Sequence, residues 1–230
     1  MTDLADLSTE PRTPAPTETI RLIPSQYPPI GAFDDVTSAE DLQAVMDLEG
    51  WTNDRLAGPR LTQLPREDWV FGRPNASVIM AAFLHGSPGG LRFSSATLGA
   101  WYASTALMTA VLEVANGLRK ELSLTERPRL TQTFREYTAR LEGAYLDIHG
   151  RCPQHHDPDD GSYPTPQALG QRVRDDGPAL GLNGIRYESV RRPGHDNWVC
   201  FRPRAVTDVM QRRHFELDVP ATGKVAVRTL

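Results

Sequence analysis

The chain has 230 residues, 39% hydrophobic and 23% charged, with a formal net charge of −4. That length suits one folded core with some decoration, and the composition excludes a fully disordered chain, a coiled coil and a collagen. An acidic balance offers no positive field for a nucleic-acid backbone, and no run approaches the ~18 apolar residues that span a bilayer, so neither nucleic acid nor membrane is an expected partner.

Met1 to Glu10 carries acids where a secretory signal carries positive charge. The two cysteines, Cys152 and Cys200, do not make a disulfide framework, so reduced thiols in a cytoplasmic protein are expected. Residues 1–18 hold Pro11, Pro14 and Pro16 among Thr, Ala and Glu, too little apolar surface to offset the cost of ordering, and read as a disordered tail. Thr19-Ile20-Arg21-Leu22-Ile23 reads as a short strand stopped by Pro24 and by Pro28-Pro29. Thr37 or Ser38 can cap a helix whose Leu42, Val45, Met46 and Leu48 fall mainly on one face and which ends near Gly50. Ser77 to Leu84 is continuously apolar and short, so a buried strand and a helix turn are both open.

His85-Gly86-Ser87-Pro88-Gly89-Gly90 is a loop, followed by extended runs at Leu91-Arg92-Phe93 and Leu98-Gly99-Ala100-Trp101-Tyr102. Ser104 or Thr105 then caps the strongest helix pattern in the chain, with Leu107, Ala110, Val111, Val114 and Leu118 at helical spacing and Arg119 and Lys120 in the last turn. Two signals conflict over 130–148. Leu130, Phe134, Tyr137, Leu141 and Tyr145 recur at helical spacing, yet the threonines and aromatics there favour a strand. Thr165-Pro166 opens a short amphipathic helix to about Asp175, and 184–190 and 197–201 read as a β-hairpin joined across Arg191 to Asp196.

Several groups could carry chemistry. His149, Cys152, His155, His156 and Asp157 offer zinc donors, but Pro153 and Pro158 break the local geometry and no second cluster completes a site, so a polar loop without metal is the expectation. The turn from His85 to Gly90 lacks both the G-x-G-x-x-G spacing and the terminal Lys-Ser/Thr of a phosphate loop. Glu113 interrupts the apolar run Ala110-Val111-Leu112-Glu113-Val114-Ala115, and a carboxylate flanked so closely by core residues needs a partner or a task. Ser189 follows Gly184-Ile185-Arg186-Tyr187-Glu188 without a nucleophile elbow, so a binding role is preferred to an activated nucleophile.

The segments Leu91-Arg92-Phe93, Gly99-Ala100-Trp101-Tyr102-Ala103, Glu113-Val114-Ala115, Gln167-Ala168-Leu169-Gly170, Gly184 to Arg191 and Phe201-Arg202-Pro203 together resemble the RES-domain proteins. That family is named for an arginine, a glutamate and a serine. Here they match Arg92, Glu113 and Ser189, with Tyr102 matching the family's active-site tyrosine. The resemblance takes in Arg21, Thr52-Asn53-Asp54-Arg55 and Asp157-Pro158-Asp159-Asp160 as well. It departs where Pro193 to Cys200 replaces the family's Gly-Gly-x-Cys, and where Leu91 replaces a glycine.

The resemblance implies an α/β (α+β) fold, an ADP-ribosyltransferase-like split mixed sheet with flanking helices. It places a RES-type domain at 19–210 and a C-terminal extension at 211–230. It favours a strand over 130–148, against the periodicity. The implied activity is destruction of NAD by phosphorolysis or hydrolysis, with NAD as substrate, inorganic phosphate as a potential co-substrate and no required cofactor. Characterised members are toxins held inactive by a helix-turn-helix antitoxin of the Xre type. An ADP-ribosyltransferase acting on a macromolecule and a catalytically silent binding module of the same fold are the alternatives, and homodimerisation is left open. Arg92, Tyr102, Glu113 and Ser189 are the expected catalytic set, with Arg21, Arg92, Tyr102 and Ser189 binding substrate. Glu113 would face the cationic sugar, Arg92 and then Arg21 the pyrophosphate, Tyr102 the nicotinamide or ribose, and Ser189 would donate to the ribose or carboxamide.

Overall fold

The structure is a computed structural model that describes residues 4, 6–26, 33–38, 40–42, 44, 60–159, 161 and 163–230. Helices α1 (Ala76–Leu84), α2 (Leu107–Thr125) and α3 (Pro164–Asp176) flank strands β1 (Arg12–Pro14), β2 (Thr19–Pro24), β3 (Trp101–Ser104), β4 (Arg129–Leu141), β5 (Ala144–Asp147), β6 (Leu182–Glu188), β7 (Asp196–Cys200), β8 (Val206–Pro220) and β9 (Ala226–Thr229). The strands form one nine-stranded sheet in the order β1-β5-β6-β7-β3-β2-β4-β8-β9. It is mixed, with β5 and β6 parallel and the other neighbours antiparallel, and the whole is an α/β fold.

Both faces of the sheet are covered. On one, Val111, Ala115, Leu118 and Leu122 of α2 pack on Leu22, Phe134, Phe215, Leu217 and Val219. Leu169 and Val173 of α3 pack on Leu146, Ile185, Tyr187 and Val199. These helices share a face, because Ile20 opposes Ser104 and Val199 opposes Tyr102, residues two apart on β3. Between them lies the strip of sheet that carries Tyr102, Ser104 and Asn197. On the other face, Trp101, Tyr137, Tyr145 and Trp198 pack with α1 and with Phe33, Leu42, Leu61 and Trp69.

The two halves of the sheet meet weakly. β2 and β3 are in register only at Ile20 and Ser104, after which an Arg21 side-chain nitrogen, Nη1, donates to the Tyr102 carbonyl at 3.0 Å.

Several expectations change. The described residues of 1–18 are not a free tail: Leu4 and Leu7 are 3% exposed, and β1 pairs with β5. Two leucines inserted beside Cys152 and Val173 suffice to hold a segment whose prolines suit an edge strand. The boundary at 210 falls inside β8, so 211–230 is no appendage: Phe215, Leu217 and Val219 complete the core under α2. Ser77 to Leu84 is helical, and all but Ala81 of α1 is buried, so it has no polar face to betray its period. α2 begins after Ala106 without a side-chain cap, because Ser104 closes β3 instead, and the helix runs past Arg119 and Lys120 to Thr125. Leu91 to Ser94 is a tight turn rather than a strand.

The Ser38 hydroxyl accepts the Asp41 N–H at 3.0 Å, the cap the sequence asks for. The rest of that helix to Gly50, together with Pro28-Pro29 and Thr52-Asn53-Asp54-Arg55, lies outside the described residues. The helix from Thr165 and the hairpin of β6 and β7 stand as expected, while the span 130–148 is extended but forms two strands, β4 and β5, broken at Glu142 and Gly143, where Gly143 takes φ +82°.

Candidate active site

Register brings the polar residues together. Ser104 opposes Asn197 across β3 and β7, and Asn197 opposes Tyr187 across β7 and β6, so all three rise on the face between α2 and α3. Ser104 Oγ donates to Asn197 Oδ1 at 2.6 Å, which turns the amide so that Nδ2 donates to Glu113 Oε1 at 2.7 Å. Ser189, just beyond β6, donates its hydroxyl to the same Oε1 at 2.7 Å. Its Oγ in turn accepts the Arg192 N–H at 3.0 Å, and its own N–H donates to the His195 carbonyl at 2.8 Å. One carboxylate oxygen of Glu113 is thus fixed by two neutral donors, while Oε2 has no partner among the described residues. Charge-assisted bonds of this kind are about twice as strong as neutral ones.

The Ser189 proton therefore goes to Glu113, and not to a substrate as the sequence reading had it. Arg192 ties the same loop to α2, with Nη1 donating to Thr109 Oγ1 at 3.2 Å.

Arg92 lies in the turn from Leu91 to Ser94 and is 8% exposed. The turn needs Gly90 at φ +70°, where a Cβ would meet the Ser94 carbonyl. Gly170 on α3 lets the helix approach the Phe93 carbonyl. Arg92 Nη1 donates to the carbonyls of His155, at 3.2 Å, and Asp157, at 2.7 Å, so the guanidinium is anchored by backbone. Its Cζ lies over the Tyr163 ring, 5.1 Å from the centroid.

Tyr102 serves this turn: its hydroxyl accepts the Phe93 N–H at 3.0 Å and donates to Ser94 Oγ at 3.1 Å. Burial pushes that phenol up to about 12, so it stays protonated as a donor. The Tyr187 phenol is raised well above its ordinary value by burial first and then by the Glu113 carboxylate.

Arg21 is not brought into this group. Its register partner Tyr137 belongs to the opposite face, and its guanidinium lies 5.0 Å over the Trp101 ring. Burial pulls it down to about 10, and it remains a cation that braces the weak joint between β2 and β3. In this arrangement it lies apart from Glu113, Ser189 and Asn197.

The stretch that carries these residues has a counterpart among known sequences, since the RES domain matches residues 60–220. The chain belongs to the RES-domain family. The RES-domain chain is also similar to the uncharacterized protein y4oC of Sinorhizobium fredii (strain NBRC 101917 / NGR234). They are 24% identical over 187 residues, which is 76% of this chain and 71% of that protein. The RES match ends at 220, where β8 ends, and thus includes half of the segment 211–230 expected as an extension.

His149, His155 and His156 of this RES domain sit in and beside the turn at Cys152. Among the described residues no group of three or more His, Cys, Asp or Glu is arranged to hold a metal ion. His149 Nδ1 lies 2.7 Å from Asp196, while His156 spans the Cys152 carbonyl at 3.2 Å and the Glu188 N–H at 3.3 Å. Cys152 and His155 are buried, so the expected polar loop is a packed turn. No helix among the described residues is long and apolar enough to cross a membrane. A cavity of about 650 Å³ lies apart from Glu113, lined in part by Leu64, Asp68, Leu98, Arg174, Phe201 and Arg202.

Asn197, Ser104, Tyr187, Tyr163 and Lys120 were not expected as site residues from the sequence. Asn197 and Ser104 carry no motif, and only strand register, which depends on the order β7-β3, shows that they meet.

Proposed function

We propose that this cleft cleaves the bond between nicotinamide and ribose in NAD. The observation that carries the reading is the Glu113 carboxylate, with Oε1 held by Ser189 and Asn197 and Oε2 without a partner among the described residues. As the C1–N bond lengthens, its electron pair moves to the ring nitrogen, so the cationic pyridinium leaves as neutral nicotinamide. Positive charge grows on the ribose, and a fixed carboxylate stabilises it without reorganising. Water or phosphate then bonds to C1 from the open side and gives up a proton, yielding ADP-ribose or its 1-phosphate. The carboxylate and the cationic leaving group together supply what the cleavage needs. Arg92, anchored through Nη1 and stacked on Tyr163, is the group that would hold the pyrophosphate, and Tyr102 sets the turn that carries it.

Membership of the RES-domain family supports a role as the toxin of a toxin–antitoxin pair, with an Xre-type helix-turn-helix protein as its partner. The test is incubation of the purified chain with NAD, with and without phosphate, followed by product analysis. Loss of NAD with release of nicotinamide is expected, and Glu113→Gln should lower turnover at least about a hundredfold while the thermal melt is kept. Intact NAD after prolonged incubation, or full activity in a folded Glu113→Gln variant, would overturn the reading. Label transferred from NAD to a macromolecule, in place of soluble ADP-ribose, would make the enzyme a transferase.

A further inference from the structure

Lys120 projects from the middle of α2 to the start of α3, and the contact it makes there has no part in the chemistry derived above. Its Nζ donates to the Tyr163 hydroxyl at 3.2 Å and lies 5.0 Å from the centre of the Tyr163 ring. The Arg92 guanidinium lies 5.1 Å from that same centre. Two cations, one from each wall of the cleft, are therefore held against one aromatic ring.

We propose that Lys120 and Tyr163 complete, with Arg92, a clamp for the diphosphate of a dinucleotide. The inference rests on the proposed reading of the site and names the groups that would make it select a dinucleotide.

Three features lead there. Arg92 Nη1 is occupied by the His155 and Asp157 carbonyls, whereas Nε and Nη2 have no partner among the described residues, so one edge of a rigidly mounted fork is free to receive phosphate oxygens. Both cations lie close to one centroid, which limits their separation to a span that two linked phosphates can bridge. A ligand carrying two adjacent negative charges can reach both cations, whereas a single phosphate reaches only one of them well. The clamp also belongs to the Glu113 site. Lys120 follows Glu113 by seven residues, two turns along the same face of α2, so clamp and carboxylate lie on one side of that helix.

The chemistry selects a nucleoside diphosphate over a monophosphate, so ADP and AMP are the probes. Calorimetry on the wild-type chain should show ADP binding about tenfold or more tighter than AMP. Lys120→Met should erase most of that difference, Lys120→Arg should restore part of it, and Tyr163→Leu should resemble Lys120→Met. In turnover of NAD, Lys120→Met should raise KM about tenfold with kcat little changed, because the contact is remote from the bond that breaks.

Equal affinity for ADP and AMP in the wild type, or an unchanged preference in a folded Lys120→Met variant, would overturn the clamp. If Lys120-dependent ADP binding is found but NAD stays intact, the clamp stands and the proposed reaction falls. If NAD is consumed in a Glu113-dependent way with KM indifferent to Lys120, the reaction stands and the clamp falls.

Discussion

Ser189 has a single hydroxyl proton, and it is committed to Glu113 Oε1, while the oxygen accepts the Arg192 N–H. Such a serine positions the carboxylate and is poorly placed to attack a sugar. Ser189→Ala removes one bond to a charged acceptor, about 1.5–3 kcal/mol, and should lower kcat by about ten- to a hundredfold with little effect on KM. Intact-protein mass spectrometry during turnover should show no adduct of ADP-ribose mass; such an adduct on the wild type, absent from Ser189→Ala, would make the serine a nucleophile instead. The resemblance singles out Arg92, Tyr102, Glu113 and Ser189, but what each touches is not legible in it. Tyr102 and Ser189 were expected on the substrate, and both instead hold other parts of the site. Arg21 was misplaced for a simpler reason: next to Ile20 on a strand, it points to the opposite face from the residue that meets Ser104.

At the scale of elements, the turn from Cys152 to His155 anchors the end of β6 through His156. Nδ1 lies against a carbonyl and Nε2 receives the Glu188 N–H, which requires a neutral ring protonated on Nδ1, the tautomer these partners assign. Burial lowers its affinity for a proton, so the folded state binds fewer protons than the unfolded chain just below the ordinary value of 6.5. Stability from this group is therefore full above that value and declines as pH falls through it toward the lowered folded value. Protonation would set N–H against N–H at Glu188, the residue before Ser189. Melting temperatures measured from about pH 8 to about pH 5 should fall less steeply in His156→Gln than in the wild type. Parallel curves would show that His156 contributes nothing to the acid sensitivity. Packing also explains why the apolar residues of β4 recur at helical spacing. Phe134 faces α2 and Tyr137 faces α1, so a strand buried on both faces, with register shifts beside Tyr137 and Arg140, loses its period of two. Where one face is open or the ends are marked, as in α2 and in the hairpin of β6 and β7, the pattern in the sequence was sufficient.

Over the whole molecule, the sheet places the site at the junction of its two halves, and the outer strands decide whether that junction forms. β8 pairs with β4 along nearly its full length and delivers Phe215, Leu217 and Val219, each 2% exposed or less, beneath the helix that carries Glu113. Burying such side chains contributes about 1.5–3 kcal/mol apiece, so losing three of them removes an amount comparable to the 5–15 kcal/mol stability of an ordinary domain. β9 is different: Ala226 to Thr229 are all exposed, and the strand only lengthens the edge. A chain ending at residue 210 should therefore fail to fold, whereas one ending at residue 222 should keep a cooperative melt and the NAD-consuming activity proposed for the full chain. Circular dichroism and thermal denaturation of the two truncations decide this. A cooperative transition in the shorter chain would show that α2 is held over the sheet without β8, and that the core beneath Glu113 ends at β4.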